Sequence, residues 1–207
     1  MKRALILGVI VLAAVIAAAA TNITAQQAAP ALAGQSGQGR GRGPGFPPIQ
    51  PIEKVKDNLY LIQGQGGNTA VYVAQTGVVL VDTKVENNGQ ALLDQVKTIT
   101  DKPITHIINT HTHGDHTGSN QFFPATVEVV VQDNTRGLME KMPVFQEAAN
   151  RNGLPDRTFK DRGKVLKGKD QIDLYSFGPA HTSGDAFVVF KNLRANRSSR
   201  ARPPSRR

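Results

Sequence analysis

The segment INTHTHGDHTGSN, residues 108–120, constrains this chain more than any other. It puts three of the five histidines and an aspartate within six residues, directly after the apolar run ITHII. In an extended backbone, residues two apart point the same way, so His111 and His113 can aim at one point. Gly114 then lets the chain turn, and Asp115 and His116 project into the neighbouring space. Thr117 to Asn120 read as the start of a helix. The chain has no cysteine, so any metal must be held by nitrogen and oxygen. Imidazole and carboxylate are donors that suit zinc. Two neighbouring metal positions are the natural product of this layout.

A catalytic zinc site needs three protein ligands and an open position. The third histidine has to come from elsewhere, and His181 in GPAHTSGD follows a strand at a Gly-Pro turn, where such residues converge. His106 sits within a strand and reads as a packed or edge histidine. Asp82 closes the apolar run GVVLVD, where a carboxylate is costly to bury unless it is hydrogen-bonded. It reads either as a partner that hydrogen-bonds a ligand histidine from behind or as a simple turn-former.

The rest of the chain supplies a scaffold of α/β type. NLYLIQG and NTAVYVAQTGVVLVDT are rich in Val, Tyr and Thr and read as strands, the second broken into a hairpin at Thr76-Gly77. Leu92, Leu93, Val96 and Ile99 predict a helix over 89–100 with one buried face. ITHIINT and VEVVVQ are further strands. Asp133 is expected to cap a helix carrying Leu138 and Met139, and residues 144–150 to form another. QIDLYSF and DAFVVFKN close the readable part as two strands. Hairpins first and strand–helix alternation later point to mixed sheets flanked by helices.

Both ends differ in character. Lys2 and Arg3 precede an apolar run over 4–20, the layout of a signal peptide, expected over 1–25. An uncleaved membrane anchor is the alternative. Residues 26–50 are rich in Gly, Gln and Pro and are expected to form a disordered linker. The net charge of +9 is local: seven basic residues and no acidic one lie from Lys191 to Arg207, which leaves 18 basic against 16 acidic in the remainder. No aromatics interleave that tail to stack bases, so no nucleic-acid partner is expected. Membrane contact is expected only through the signal or anchor, and the location is periplasmic or secreted. Residues 195–207 are expected to be a disordered basic tail, and a tail that binds polyanions is one competing reading of the chain.

VVLVDT, HTHGDH and GPAHTSGD, in that order, resemble the metallo-β-lactamase superfamily of zinc hydrolases over about residues 51–194. The resemblance implies a four-layer αββα sandwich with the metals at one edge between two sheets. It implies His111, His113 and His181 as ligands of a first zinc, and Asp115 and His116 as the beginning of a second site. Asp115 would also orient the nucleophile. The implied reaction is attack of metal-bound hydroxide on an amide, lactam, ester or thioester carbonyl of a small-molecule substrate. Relatives of this family continue with a bridging aspartate and a late histidine. Neither follows His181 here, so the N-terminal half is expected complete and the C-terminal half missing, with the tail after Arg194 reading as a frameshift or premature end. The alternative function is therefore an impaired fragment that binds at most one metal.

Overall fold

A computed structural model describes residues 45–194. The expected signal peptide, most of the expected linker and the basic tail lie outside the described residues. In chain order the elements are β1 (Glu53–Lys56), β2 (Leu59–Ile62), β3 (Thr69–Val73), β4 (Val78–Val81), α1 (Gly89–Lys97), β5 (Ile104–Ile108), α2 (Gly114–Thr117), β6 (Glu128–Gln132), α3 (Asp133–Met139), α4 (Pro143–Gln146), β7 (Arg157–Phe159), β8 (Arg162–Val165), β9 (Ile172–Tyr175) and β10 (Phe187–Phe190). Short 3-10 turns lie at Asn120–Phe122, Ala148–Gly153, Gly168–Asp170 and Lys191–Arg194.

Two sheets result. The larger runs in the order β1-β2-β3-β4-β5-β6-β7 and the smaller in the order β10-β9-β8. Strands β1 to β4 form an antiparallel meander, whereas β4, β5, β6 and β7 are mutually parallel. Parallel strands buried on both faces carry continuous apolar runs, and VVLV of β4 is buried at all four positions. Its alternate residues serve two cores. Val78 and Leu80 join Leu92 and Val96 of α1, with Ile107, Val129 and Val131, in a core on the helical side. Val79 and Val81 join Ile108, Val130, Ile172 and Leu174 in a core between the sheets. Among the described residues the layers are helices, large sheet and small sheet.

Several local expectations are corrected. Pro47 to Gln50, expected to be linker, are tied to the fold: Gln65 N donates to Pro47 O at 2.7 Å and Gln50 N to Gln63 O at 2.9 Å. Ile49 also packs on the helical-side core. The helix placed at Thr117 begins three residues earlier, because Thr117 N donates to His113 O and Gly118 N to Gly114 O. The cap of α3 is Gln132, whose side chain accepts from Asn134 N, rather than Asp133. The expected helix over 144–150 divides into α4 and a 3-10 turn. Strands β1, β7 and β8 are short and polar, and apolar patterning did not reveal them. The small sheet covers one face of the large one. Exposed aromatics lie on the small sheet's outer side, where Phe187 of β10 pairs across from Tyr175 and Phe177 follows.

Candidate metal centre

The site gathers at the carboxyl ends of the parallel strands, the usual mouth of such a sheet. The chain leaves β4 at Asp82 and β5 at Asn109, and these adjacent exits bring Asp82 against the histidine segment. Asp82 is buried with a left-handed backbone, φ +66°. Its Oδ1 accepts from Thr110 N at 2.8 Å, and its Oδ2 accepts from Thr110 Oγ1 at 2.8 Å and contacts His116 Nδ1 at 2.7 Å. The cost of burying this carboxylate is thereby offset. The contact places a proton on His116 Nδ1, which leaves Nε2 as the nitrogen that a metal would take.

His113 is extended, with φ −62° and ψ 146°, and ends the run from which His111 also projects. His111 is buried, while His113 and His181 are exposed. One ligand nitrogen from each of these three lies within 4.8 Å of the others. His181 Nε2 and His113 Nδ1 face each other at 3.1 Å. The rings of His113 and His181 stand edge-on to His111, with centroids 4.9 and 5.0 Å away. Asp115 and His116 sit on α2 beside this group, with Asp115 Oδ2 3.4 Å from His116 Nε2.

The loop bearing His181 belongs to the small sheet's side and is fastened to α3 and to the segment after β5. Asn134 Nδ2 donates to Ser183 O, Thr135 Oγ1 to Gly184 O, and Ala186 N to Thr110 O. Asp185 closes the turn by accepting from Thr182 N and Oγ1. Burial pushes the Asp185 carboxyl up, but the Thr182 bonds and nearby His111 outweigh it and hold the carboxyl below its ordinary value.

The three-imidazole group fits zinc. A tetrahedral ion with Zn–N of about 2.0–2.1 Å sets its nitrogens roughly 3.3 Å apart. The exposed His113 and His181 can close to that spacing around the fixed His111. Two ring nitrogens face each other here with no carboxylate or carbonyl between them. Burial, and then the neighbouring His116, push His111 below its ordinary pKa, which favours the neutral ring that ligates metal. For His116 burial acts downward too, yet its bond to Asp82 and the Asp82 and Asp115 charges leave it raised. His106 takes no part: its Nε2 lies 3.2 Å from Glu128.

Four residues that sequence reasoning missed hold the segment in place. Thr83 N and Asn109 Nδ2 both donate to His116 O, at 2.8 and 2.9 Å. Asn120 Nδ2 donates to Asn109 Oδ1 and to Gly153 O. Lys84 is completely buried, and burial pushes its ammonium down to about 8. The available signal was polar residues at the ends of buried strands, in VDTK and IINT, where an unbonded group is too costly to be accidental.

Two facing sheets with a nitrogen-donor cradle at one mouth define a two-sheet α/β fold with a candidate metal centre. The chain belongs to the metallo-β-lactamase superfamily, whose family model matches residues 62–195. Metallo-beta-lactamase type 2 of Elizabethkingia meningoseptica is 26% identical over 152 residues, covering 69% of this chain and 58% of that protein. A metallo-beta-lactamase from Pontibacter korlensis superposes with a TM-score of 0.56 at 23% identity, over 68% of this chain and 66% of its own. The FEZ-1 metallo-beta-lactamase from Legionella gormanii gives a TM-score of 0.57 at 16% identity, over 69% and 58% of the two chains. These structural likenesses show the fold. The chain spans just under three fifths of the length of the Elizabethkingia protein.

Proposed function

We propose that this protein is an exported zinc hydrolase of small molecules that carry an amide, lactam, ester or thioester carbonyl. The convergence of His111, His113 and His181 on one point carries the reading. These three would hold one zinc tightly. Asp115 and His116 offer only two donors for a second ion, so we expect weaker occupancy there. When bound, zinc supplies Lewis-acid chemistry: it acidifies water and polarises a carbonyl oxygen.

The chain's own residues supply the rest. Asp115, about one third exposed, is placed to take the proton of an attacking water and return it to the leaving group. His116, fixed by Asp82, keeps Nε2 directed at that carboxylate. A cavity of about 360 Å³ opens beside Asp115, lined by Phe46, Val85, Glu86 and Gly114. Its apolar wall suits an uncharged substituent next to the scissile bond. Export rests on the basic and then apolar pattern of residues 2–20.

The test is metal analysis of the purified protein, followed by a panel of chromogenic lactams, lactones and thioesters. We expect about one tightly held zinc per chain, hydrolysis lost on chelation, and both zinc and activity lost in His113→Ala. A chain that takes up no zinc, or hydrolyses equally well without it, would refute the proposal.

A further inference from the structure

Lys84 presents a physical puzzle. It is buried completely and its backbone is left-handed, φ +69°. An ammonium out of water and a branchless turn conformation for a long side chain are both unfavourable. What it gains is specific. Its Nζ donates to Ile62 O and to Gly67 O, each at 2.9 Å. Those carbonyls flank the loop 63–66 between β2 and β3, where Gly64, Gln65 and Gly66 all have positive φ. Val85 N adds a bond to Gln65 O at 3.2 Å. One side chain therefore ties both ends of a loop that has no regular structure of its own.

The other side of this loop lies against the metal centre. Gly67 N donates to Asp115 O at 3.0 Å. A Cβ built on Gly66 would overlap Asp115, and one built on Gly67 would overlap the His116 ring. The contact is backbone against side chain, with no room to spare. Among the described residues, the loop's hydrogen bond to the metal centre and its nearest approaches there fall on Asp115 and His116.

We propose that Lys84 is a positioning residue: by clamping the loop 63–67 it holds Asp115 and His116 in their working orientation, while the three-histidine group is independent of it. A neutral aliphatic residue would leave the buried Ile62 carbonyl and the half-buried Gly67 carbonyl without this donor, and the loop would lift to reach water. Asp115 and His116 would then lose their backstop. The inference rests on the metal-centre reading above for its functional meaning, but its geometry is testable in the metal-free protein.

The experiment compares Lys84→Met, Lys84→Gln, Lys84→Arg and Gly67→Ala with the parent protein by histidine-detected NMR and by zinc titration against a competing chelator. In Lys84→Met we expect the His116 ring resonances to broaden or shift while those of His113 and His181 stay put. Zinc affinity at the first site should remain within about threefold, and turnover should fall about tenfold or more, the scale set by outer partners of metal ligands. Lys84→Arg, which keeps a cation able to bond both carbonyls, should restore the His116 signals. Gly67→Ala sets a methyl directly against the His116 ring with Lys84 intact and is the positive control for that signature; should Lys84→Met fail to fold, Lys84→Gln, which keeps a donor for one carbonyl only, should show the signature and decides the matter. Unchanged His116 resonances in the folded variants would overturn the proposal, as would equal disturbance of all four site histidines. If the parent shows no hydrolysis, the function proposed above fails, but the resonance pattern still decides the clamp.

Discussion

Replacing Asp82 by asparagine tests how this site fixes its chemistry. The side chain keeps its shape and Oδ1 still accepts from Thr110 N. Oδ2 becomes an N–H donor facing two groups that formerly donated to it, Thr110 Oγ1 and His116 Nδ1. The threonine hydroxyl can rotate and accept instead. The imidazole can accept only by moving its proton from Nδ1 to Nε2, and Nε2 then has no lone pair to offer. Turning the amide over sets an N–H against Thr110 N, which is worse. The variant therefore places a proton on the nitrogen that faces Asp115. Partners of this kind are worth tenfold to a hundredfold in metal affinity, or about 1.4–2.7 kcal/mol. Removing a charge-assisted bond to a buried group costs about 1.5–3 kcal/mol of stability. Zinc titration should show weakened binding at the His116 arm, and long-range nitrogen–proton NMR should show the changed tautomer. A variant with His116 still protonated on Nδ1 and with unchanged metal affinity would refute the reasoning.

Zinc should stabilise the fold by linkage, with about 2.7 kcal/mol expected at a free concentration one hundred times Kd. Thermal melts with and without chelator check this, and hydrogen exchange should loosen most in the loop bearing His181. An unchanged melting point at saturating zinc would contradict it. Acid stability should depend on Glu128. Its bond from Arg157, set against burial and aided by the Arg157 and His106 charges, holds its carboxyl below the ordinary 4.5. That contribution is complete above about 4.5 and is lost as pH falls through the lower folded-state value. Glu128→Gln should therefore flatten the acid limb of a urea-unfolding series between about pH 5 and pH 2, and an unaltered slope would count against the pair.

What could be read from the residues was decided by periodicity and by charge cost. The buried parallel strands announce themselves because both faces are apolar, as in VVLV and EVVVQ. The histidine segment announces itself because so many ligating side chains rarely adjoin a buried strand by accident. Short polar strands such as RTF and RGKV carry neither signal; the neighbours they pair with make them strands. The loop contacts that bring His181 to His113 are tertiary and have no local trace beyond the Gly-Pro turn. Lys84 was illegible for a different reason. A lysine after a strand is ordinarily a solvated turn residue, and only the position of two backbone carbonyls makes it a clamp.

The 68-residue separation of His113 and His181 bears on when the centre can assemble. During synthesis His111 and His113 emerge together, long before His181 is there to complete the three-nitrogen group. Bringing the third nitrogen to them closes a ring whose length-dependent entropy alone is about 3.7 kcal/mol in a free chain. In the folded protein that entropy has already been lost to the pairing of β8, β9 and β10 and to the bonds from Asn134 and Thr135. Affinity should thus rise in a step when the small sheet docks. An ion captured earlier would be held by fewer ligands and exchanged freely, so tight binding has to wait for the small sheet to dock.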